Sequence, residues 1–266
     1  MSKKLDEFRM PAEWEPQKSV WMSWPHNKND WPGLFEKIPN VVGKIIKYLT
    51  KHQRIDLLVN NNKSIDTTRK YLKKIGCNIS NIKFHKFKTD RLWLRDSGPI
   101  FLVNKKKRKK EKINFKFNAW SKYKNFRNDN KINNHISTYL NIESILPKKV
   151  NSKKFKRVVM EGGAFDNNGS GSILLTRECL LSSKQERNKG FKKIDYENLF
   201  SKYLNAKNFI WLNKGIVGDD THGHIDDIAR FVSKSTIMIA VENNLSLIHI
   251  SEPTRLRRIS YAVFCL

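Results

Sequence analysis

Apolar and polar positions along this chain follow two different periods. Between residues 34 and 52 the apolar side chains recur at the spacing of one helix face. Residues 64–75 repeat that pattern and end at Gly76, which predicts a second helix closed by a glycine. Further helices are predicted at residues 132–140 and 196–204, and strands at residues 55–59, 82–87, 158–160, 172–176, 209–212 and 228–241. Strands and helices therefore alternate, which indicates an α/β or α+β fold.

Composition limits the class of protein. The chain has 266 residues, of which 39% are apolar, so it can bury a sizeable core. No run of eighteen apolar residues is present, and the first residues lack the apolar segment of a signal peptide. Three cysteines, Cys77, Cys179 and Cys265, form no disulfide framework. We therefore expect a cytoplasmic protein with no membrane partner.

The formal charge of +27 raises the hypothesis of a nucleic-acid-binding protein. The lysines, however, are scattered along the sequence, and the one dense basic block spans residues 105–110. That block lies between apolar residues 100–103 and the alternating pattern of residues 113–117, which predicts a solvated hairpin loop. The favoured interpretation is a protein without a nucleic acid partner, and nucleic-acid binding is kept as an alternative.

The last 22 residues, 245–266, have a different origin from the rest of the chain in our interpretation. They read LSLIHISEPTRLRRISYAVFCL, which resembles the translation of a sequencing adapter followed by an index and a primer site. We therefore predict two parts: an incomplete catalytic domain in residues 1–244 and a non-native tail in residues 245–266. Cys265 lies in that tail and is expected to have no function.

The most unusual chemistry lies in residues 218–231, where four carboxylates and two imidazoles occur within residues 219–227. If this segment is a strand, His222, His224 and Asp226 project from one face. Such a row could hold zinc or iron, which makes a metal-dependent hydrolase one hypothesis. The same groups could instead perform acid–base chemistry beside a nucleophile.

A regular spacing connects this segment with two others. Asp96, Glu161 and Asp226 are separated by 65 residues each, and each lies in a glycine-containing segment next to an apolar stretch. This spacing predicts structural repeats that each place one carboxylate at a common centre. Carboxylates that converge without a metal would bind a planar guanidinium through paired, charge-assisted hydrogen bonds. A nearby histidine could then transfer protons, and a cysteine thiolate would be the expected nucleophile.

Five segments together resemble the agmatine deiminase and bacterial peptidylarginine deiminase family. They read MPAEWEP at residues 10–16, WMSWP at 21–25, DRLWLRDSGP at 90–99 and EGGAFDNNG at 161–169, and the fifth is residues 218–231. The resemblance extends from about residue 10 to about residue 244. It implies the pentein fold, a five-bladed α/β propeller of ββαβ repeats, which would be incomplete in this chain.

The resemblance also implies roles for individual residues. Asp96 and Asp226 would bind the guanidinium, His224 would be the general acid–base, and Glu161 would orient and charge that histidine. Trp93 would form an aromatic wall of the pocket. The family nucleophile is a cysteine in a Gly-Gly-Gly-x-x-His-Cys segment, which the 65-residue period would place at about residue 356.

The implied reaction is hydrolysis of a guanidine group, with agmatine and water giving N-carbamoylputrescine and ammonia through a covalent cysteine intermediate. Peptidyl-arginine is the alternative substrate, since His222 departs from the Asp or Asn found there in many family members. We expect no metal and no other cofactor, and a small guanidinium molecule as partner; a homo-oligomer is left open. Residues 1–266 by themselves are predicted to be inactive.

Overall fold

The structure is a computed structural model that describes residue 5 and residues 7–152, 156–241 and 260–265, with only the backbone described for residues 241 and 260–265. The described strands form four three-stranded sheets. Their bounds are β1 Ser19–Ser23, β2 Arg54–Val59, β3 Ile82–Lys86, β4 Ile100–Asn104, β5 Lys109–Ile113, β6 Ser144–Ile145, β7 Phe165–Asn167, β8 Ser172–Thr176, β9 Asn208–Leu212, β10 Ala229–Phe231, β11 Thr236–Val241 and β12 Ser260–Cys265. The α-helices are α1 Ile38–Leu49, α2 Asn62–Lys74, α3 Leu94–Ser97, α4 Ile132–Leu140, α5 Arg177–Leu181 and α6 Lys193–Leu204. The mixed α/β class expected from the sequence is confirmed.

The first sheet is parallel, in the order β1-β2-β3, with α1 and α2 connecting its strands. Helix α2 begins where the Asn61 side chain accepts a hydrogen bond from the Ser64 amide, at 2.8 Å. It is followed by Gly76, whose φ of +81° is a left-handed conformation that favours glycine. Ile46 and Leu72 from the helices and Leu57 from the sheet are fully buried together. The two helices and two strands predicted for this region are confirmed.

The second and third sheets repeat one ββαβ arrangement. In the second, β4 pairs antiparallel with β5, and β5 pairs parallel with β6 after α4. In the third, β7 pairs antiparallel with β8, and β8 pairs parallel with β9 after α6. One apolar core joins the two sheets through buried side chains such as Leu102, Ile113, Phe165, Leu175 and Phe200. The repeated unit matches the predicted blade, and a closed five-bladed propeller stays a prediction.

Each of the three evenly spaced acidic residues precedes the hairpin of a different sheet. Asp96 lies in α3, immediately before β4. Glu161 precedes the short 3-10 turn Gly162–Ala164 that leads into β7, and Asp226 lies in the 3-10 turn Ile225–Asp227 that leads into β10. The spacing therefore has a structural cause in this part of the chain, because the same position of three successive units carries a carboxylate.

Several element predictions were wrong in detail. Residues 228–241 form two strands, β10 and β11, rather than one, because the polar stretch between them turns and the two strands pair antiparallel. Residues 158–160 form no strand, and Val159 makes only an isolated bridge to Lys116. The predicted hairpin is present, but its second strand, Lys109–Ile113, begins inside the segment 105–110 that was predicted as a loop. Lysines on the exposed side of a strand are compatible with this structure.

Two further points concern the ends of the structure and the membrane. The strand Ser260–Cys265 runs antiparallel along β11, and most of the predicted tail, residues 245–266, lies outside the described residues. The predicted origin of that tail therefore stays a prediction.

None of the helices in the described residues combines the length and the apolar character needed to cross a membrane.

Candidate active site

Three of the predicted site residues, Asp96, Glu161 and Asp226, converge on the buried imidazole of a fourth, His224. The Nδ1 atom of His224 lies 3.7 Å from Oδ1 of Asp96 and 3.7 Å from Oδ1 of Asp226. Its Nε2 atom lies 3.9 Å from Oε2 of Glu161. These distances fit ion pairs and are too long for hydrogen bonds. His224, Asp96 and Glu161 are buried, and the Asp226 side chain is 18% exposed. The site therefore has one partly open side, at Asp226.

Asp96 is oriented by a hydrogen bond to each of its oxygens. Its Oδ2 atom accepts from the indole Nε1 of Trp120 at 3.0 Å, and its Oδ1 atom accepts from the amide of Gly163 at 3.0 Å. Each carboxylate oxygen can accept more than one hydrogen bond. Asp96 is therefore fixed in direction while it keeps acceptor capacity for a further donor.

Trp120 is held in place by an unusual backbone segment. Ala119, Trp120 and Ser121 have φ angles of 51°, 58° and 53°, a left-handed conformation that non-glycine residues adopt at a cost. The turn is supported by the Asn118 side chain, which accepts from the Ser121 amide at 3.0 Å, and by Gln185, whose Nε2 donates to the Trp120 carbonyl at 3.0 Å. This strained turn buries the indole against Asp96.

Replacement of Trp120 by phenylalanine tests the value of this contact. Trp120→Phe keeps an aromatic ring but removes the donor to Asp96. If the predicted ligand agmatine binds at this site, its affinity should fall by about tenfold, as for a lost hydrogen bond to a charged group. Isothermal titration of residues 1–266 with agmatine measures the change. Trp211→Phe is the matched control, because its Nε1 also donates to a carboxylate, Glu197, at 3.0 Å. Equal losses in both variants would contradict a specific role for Trp120.

Glu161 is paired with a buried arginine that the sequence did not reveal. Arg187 donates from Nε to the two carboxylate oxygens of Glu161 at 3.2 and 3.4 Å, and both side chains are 0% exposed. Its Nη2 donates to the carbonyl of Thr221, in the loop that carries His224. Burial alone would raise the pKa of Glu161, but the charges of Arg187 and His224 hold it below its ordinary value. Glu161 is therefore ionised at neutral pH.

The electrostatics of His224 favour its protonated form. Burial lowers the pKa of an imidazole, but the nearby carboxylates of Asp96, Glu161 and Asp226 outweigh it and raise the pKa of His224 to about 9. Burial also raises the pKa of Asp96 and of Asp226, while the charge of His224 opposes that rise. At neutral pH the imidazole carries a proton that it could donate.

Gly163 opens the space between these groups. A Cβ atom at this position would lie 2.5 Å from Nδ1 of His224, 2.7 Å from Oδ1 of Asp96 and 2.9 Å from Oδ2 of Asp226. All three contacts are shorter than van der Waals separation. Only a residue without a side chain therefore allows the histidine and the two aspartates to face each other.

The row of His222, His224 and Asp226 does not exist as predicted. Residues 218–224 form turns, because the Asp219 side chain accepts from the amides of Thr221, Gly223 and His224. The His222 ring lies 3.1 Å from the Ser182 hydroxyl instead of beside His224. The hypothesis of a metal site formed by His222, His224 and Asp226 is therefore wrong.

A different trio is spatially compact. Ligand atoms of Glu161, Cys179 and His224 lie within 4.8 Å of one another. Arg187 already bonds Glu161 there, and a second cation next to a guanidinium is unfavourable. Burial raises the pKa of the Cys179 thiol above its ordinary value, which opposes the thiolate that a metal would require. These residues suit an ion pair with a neutral thiol.

Trp93 lies next to α3 and is 41% exposed. Its ring packs against Trp31, with 5.6 Å between the ring centroids. The expected role of Trp93 as a pocket wall stays a prediction.

Comparison with known proteins identifies the class. Two solved structures that resemble this chain are agmatine deiminases, which are hydrolases of amidine groups. The chain belongs to the family described as Porphyromonas-type peptidyl-arginine deiminase, whose family model matches residues 9–259.

The similar structures agree over most of this chain. The agmatine deiminase of Enterococcus faecalis has a TM-score of 0.78 and 26% identity, over 91% of this chain and 63% of that one. A cysteine-to-serine variant of C. jejuni agmatine deiminase with substrate bound has a TM-score of 0.73 and 29% identity, over 86% and 63%. A curated relative from Legionella pneumophila (strain Philadelphia 1) is 31% identical over 236 residues, 88% of this chain and 63% of the relative. The chain thus spans less than two thirds of the length of these relatives.

Proposed function

We propose that the whole protein is a cytoplasmic guanidine-group hydrolase that converts agmatine and water into N-carbamoylputrescine and ammonia. The observation that carries this proposal is the convergence of Asp96, Glu161 and Asp226 on the buried imidazole of His224. Membership of the peptidyl-arginine deiminase family and similarity to agmatine deiminases support it.

Substrate binding follows from the two aspartates. Asp96 and Asp226 both face His224 Nδ1, and Asp96 keeps acceptor capacity on both oxygens. A guanidinium offers paired planar donors that match carboxylates. Agmatine carries two positive charges, so the chain's net charge of +27 opposes its approach. The local negative charge of Asp96 and Asp226 must therefore attract it.

Catalysis would then use the proton on His224. A cysteine thiolate attacks the central guanidinium carbon and forms a C–S bond, and the His224 proton moves to the departing nitrogen, which leaves as ammonia. Water adds to the same carbon and returns a proton to His224. The C–S bond then breaks, the remaining hydroxyl proton passes to solvent, and the ureido product and the thiolate are released. Glu161, ionised beside Arg187, stabilises the imidazolium that donates the first proton and that forms again when water adds.

The thiol for this reaction is not among the described cysteines near the site. Cys77 is buried in the core of the first sheet, and Cys179 is buried with a raised thiol pKa. Neither lies in a Gly-Gly-Gly-x-x-His-Cys segment.

Without this nucleophile, we expect residues 1–266 to release no more ammonia from agmatine than their His224→Ala variant. A coupled ammonia assay measures this, and release above that background contradicts the expectation.

Ligand binding tests the proposed function without turnover. Agmatine carries a guanidino group where putrescine carries an amino group. We therefore expect residues 1–266 to bind agmatine more tightly than putrescine in calorimetric titration. Asp226→Asn removes one negative charge at nearly constant size and is expected to abolish that preference. Binding of agmatine no tighter than putrescine would refute the proposal. Titration with a peptide that contains arginine tests the alternative, since preference for the peptide would favour a peptidylarginine deiminase.

The two predicted parts of the chain belong to the same proposal. Residues 1–244 would be catalytic-domain sequence, and residues 245–266 would derive from a translated adapter. Sequencing of the source gene across codon 244 tests this, and an identical natural reading frame for the tail would refute it.

A further inference from the structure

A second group of charged side chains borders the site at its open side. Glu13, from the segment before β1, accepts hydrogen bonds from Nη1 of Arg95 and from Nη2 of Arg230 through its two different oxygens. Arg95 lies in α3 beside Asp96, and Arg230 lies in β10. One carboxylate thus joins two guanidinium groups, one from α3 and one from β10.

The two arginines differ in the alternatives available to them. The Nη2 atom of Arg230 also lies 3.3 Å from Oδ1 of the buried Asp166, so it keeps an anionic partner without Glu13. The Nε atom of Arg95 lies 3.6 Å from Oδ2 of Asp226, which is too long for a hydrogen bond. Without Glu13, the carboxylate nearest to Arg95 is therefore Asp226, one of the proposed ligands of the substrate.

The charges of the site make this contact favourable. Three carboxylates, Asp96, Glu161 and Asp226, surround His224, while Arg187 and protonated His224 supply two positive charges. When all three carboxylates are ionised, one negative charge of this group is unbalanced. The partly exposed guanidinium of Arg95 is the cation closest to Asp226 that can balance it. A substrate guanidinium would have to occupy the same carboxylate.

Glu13 is held firmly enough to prevent this. Its segment is anchored by the ion pair of Arg9 with Glu15, at 2.5 and 2.8 Å, and by the backbone pairing of Arg9 with Val103 in β4. Asn167 also donates to the Pro11 carbonyl at 3.3 Å. The segment therefore holds the Glu13 carboxylate at Nη1 of Arg95, whereas Asp226 lies nearest to Nε.

We propose that Arg95 is a tethered competitor for the guanidinium site and that Glu13 is the positioning residue that keeps it off Asp226. This inference rests on the proposed binding of a guanidinium at Asp226. In the ligand-free site Arg95 lies between the two carboxylates, and an entering guanidinium or amidinium takes Asp226 while Arg95 stays on Glu13. Glu13 thereby sets the affinity for cationic ligands without contact to them.

A double-mutant cycle in residues 1–266 separates competition from a general effect of charge. We expect Glu13→Gln to weaken agmatine binding by about five- to tenfold and Arg95→Met to tighten it several-fold, since solvent only partly screens a close charge pair near a protein surface. The decisive result is the double variant, which should bind as tightly as Arg95→Met alone. If the two substitutions act only through long-range charge effects, their changes in binding free energy add, and that result overturns the proposal.

The Lys149–Asp195 pair supplies the control. It lies outside the segment of Glu13, and its side chains are 37% and 18% exposed, against 36% and 42% for Arg95 and Glu13. Lys149→Met should change agmatine affinity by less than about twofold, because this pair does not border Asp226. A change as large as that of Arg95→Met would show that the loss of any positive charge, rather than competition, is responsible.

A crystal structure of ligand-free Glu13→Gln decides the question independently of binding. We expect Arg95 to close from 3.6 Å to hydrogen-bonding distance of Asp226, about 2.9 Å. An unchanged distance overturns the proposal. If the wild-type chain binds no guanidinium ligand while Arg95 closes on Asp226 in the variant, the proposed function fails and the positioning role of Glu13 stands.

Discussion

Replacement of Gly163 by alanine is expected to lower agmatine affinity by about a hundredfold, since carboxylates displaced from the guanidinium lose charge-assisted hydrogen bonds worth about 1.5–3 kcal/mol each. The added Cβ would meet Nδ1 of His224 at 2.5 Å and oxygens of Asp96 and Asp226 at 2.7 and 2.9 Å. Three polar groups, Asp96 in α3 and His224 and Asp226 at the turn Ile225–Asp227, would all have to move. Isothermal titration of the Gly163→Ala variant with agmatine measures the loss.

Gly190→Ala is the control for this substitution. Gly190 has a φ of +76° and open space around its Cα, so alanine there introduces backbone strain but no contact with the site. We expect it to cost about 1 kcal/mol of stability and to leave agmatine affinity unchanged. If Gly163→Ala binds agmatine as well as Gly190→Ala does, the site is not as tightly packed as the distances imply.

Replacement of Arg187 by methionine is expected to lower the free energy of unfolding by about 3–5 kcal/mol at neutral pH, the usual effect of leaving one partner of a buried ion pair alone. Glu161 is fully buried and loses two hydrogen bonds from Nε of Arg187. Urea denaturation followed by circular dichroism measures the change. The double variant Arg187→Met with Glu161→Gln should recover part of it, because no uncompensated carboxylate is left.

The pH dependence gives a second readout for Arg187. In the folded wild-type chain the pKa of Glu161 lies below its ordinary value of 4.5. Its contribution to stability is therefore present above that value and lost as the pH falls. The Arg187→Met variant should therefore lose less stability than the wild-type chain as the pH falls. Arg157→Met is the control, since Arg157 donates to the amide oxygen of Asn130 rather than to a carboxylate. Equal destabilisation in both variants would contradict the argument.

The sequence predicted the site residues better than their local structure. The 65-residue spacing placed Asp96, Glu161 and Asp226 at equivalent positions of successive units, and in the structure all three face His224. The strand predicted for residues 222–226 was wrong, because the Asp219 carboxylate binds successive amides and bends the chain there. Such a side-chain-to-backbone turn leaves no hydrophobic periodicity to detect.

The supporting residues could not be found from the sequence for a different reason. Trp120 reaches Asp96 through a left-handed turn that contains no glycine, and Arg187 reaches Glu161 from a loop with no motif. Both contacts depend on tertiary packing rather than on local pattern. Glu13 and Arg95 did lie within the segments that carry the family resemblance, but nothing in the sequence indicated that they touch.

The placement of each carboxylate at the entrance to a separate sheet has a consequence for folding. Asp96, Glu161 and Asp226 meet only when the second and third sheets and the fourth, β10-β11-β12, have docked. Each of the three residues lies in the segment that precedes a different hairpin. A guanidinium bound to Asp96 and Asp226 would then act as a removable cross-link between the second and fourth sheets. Because a ligand stabilises only the state that binds it, agmatine should protect the docked arrangement as a whole, including amides far from its own contacts.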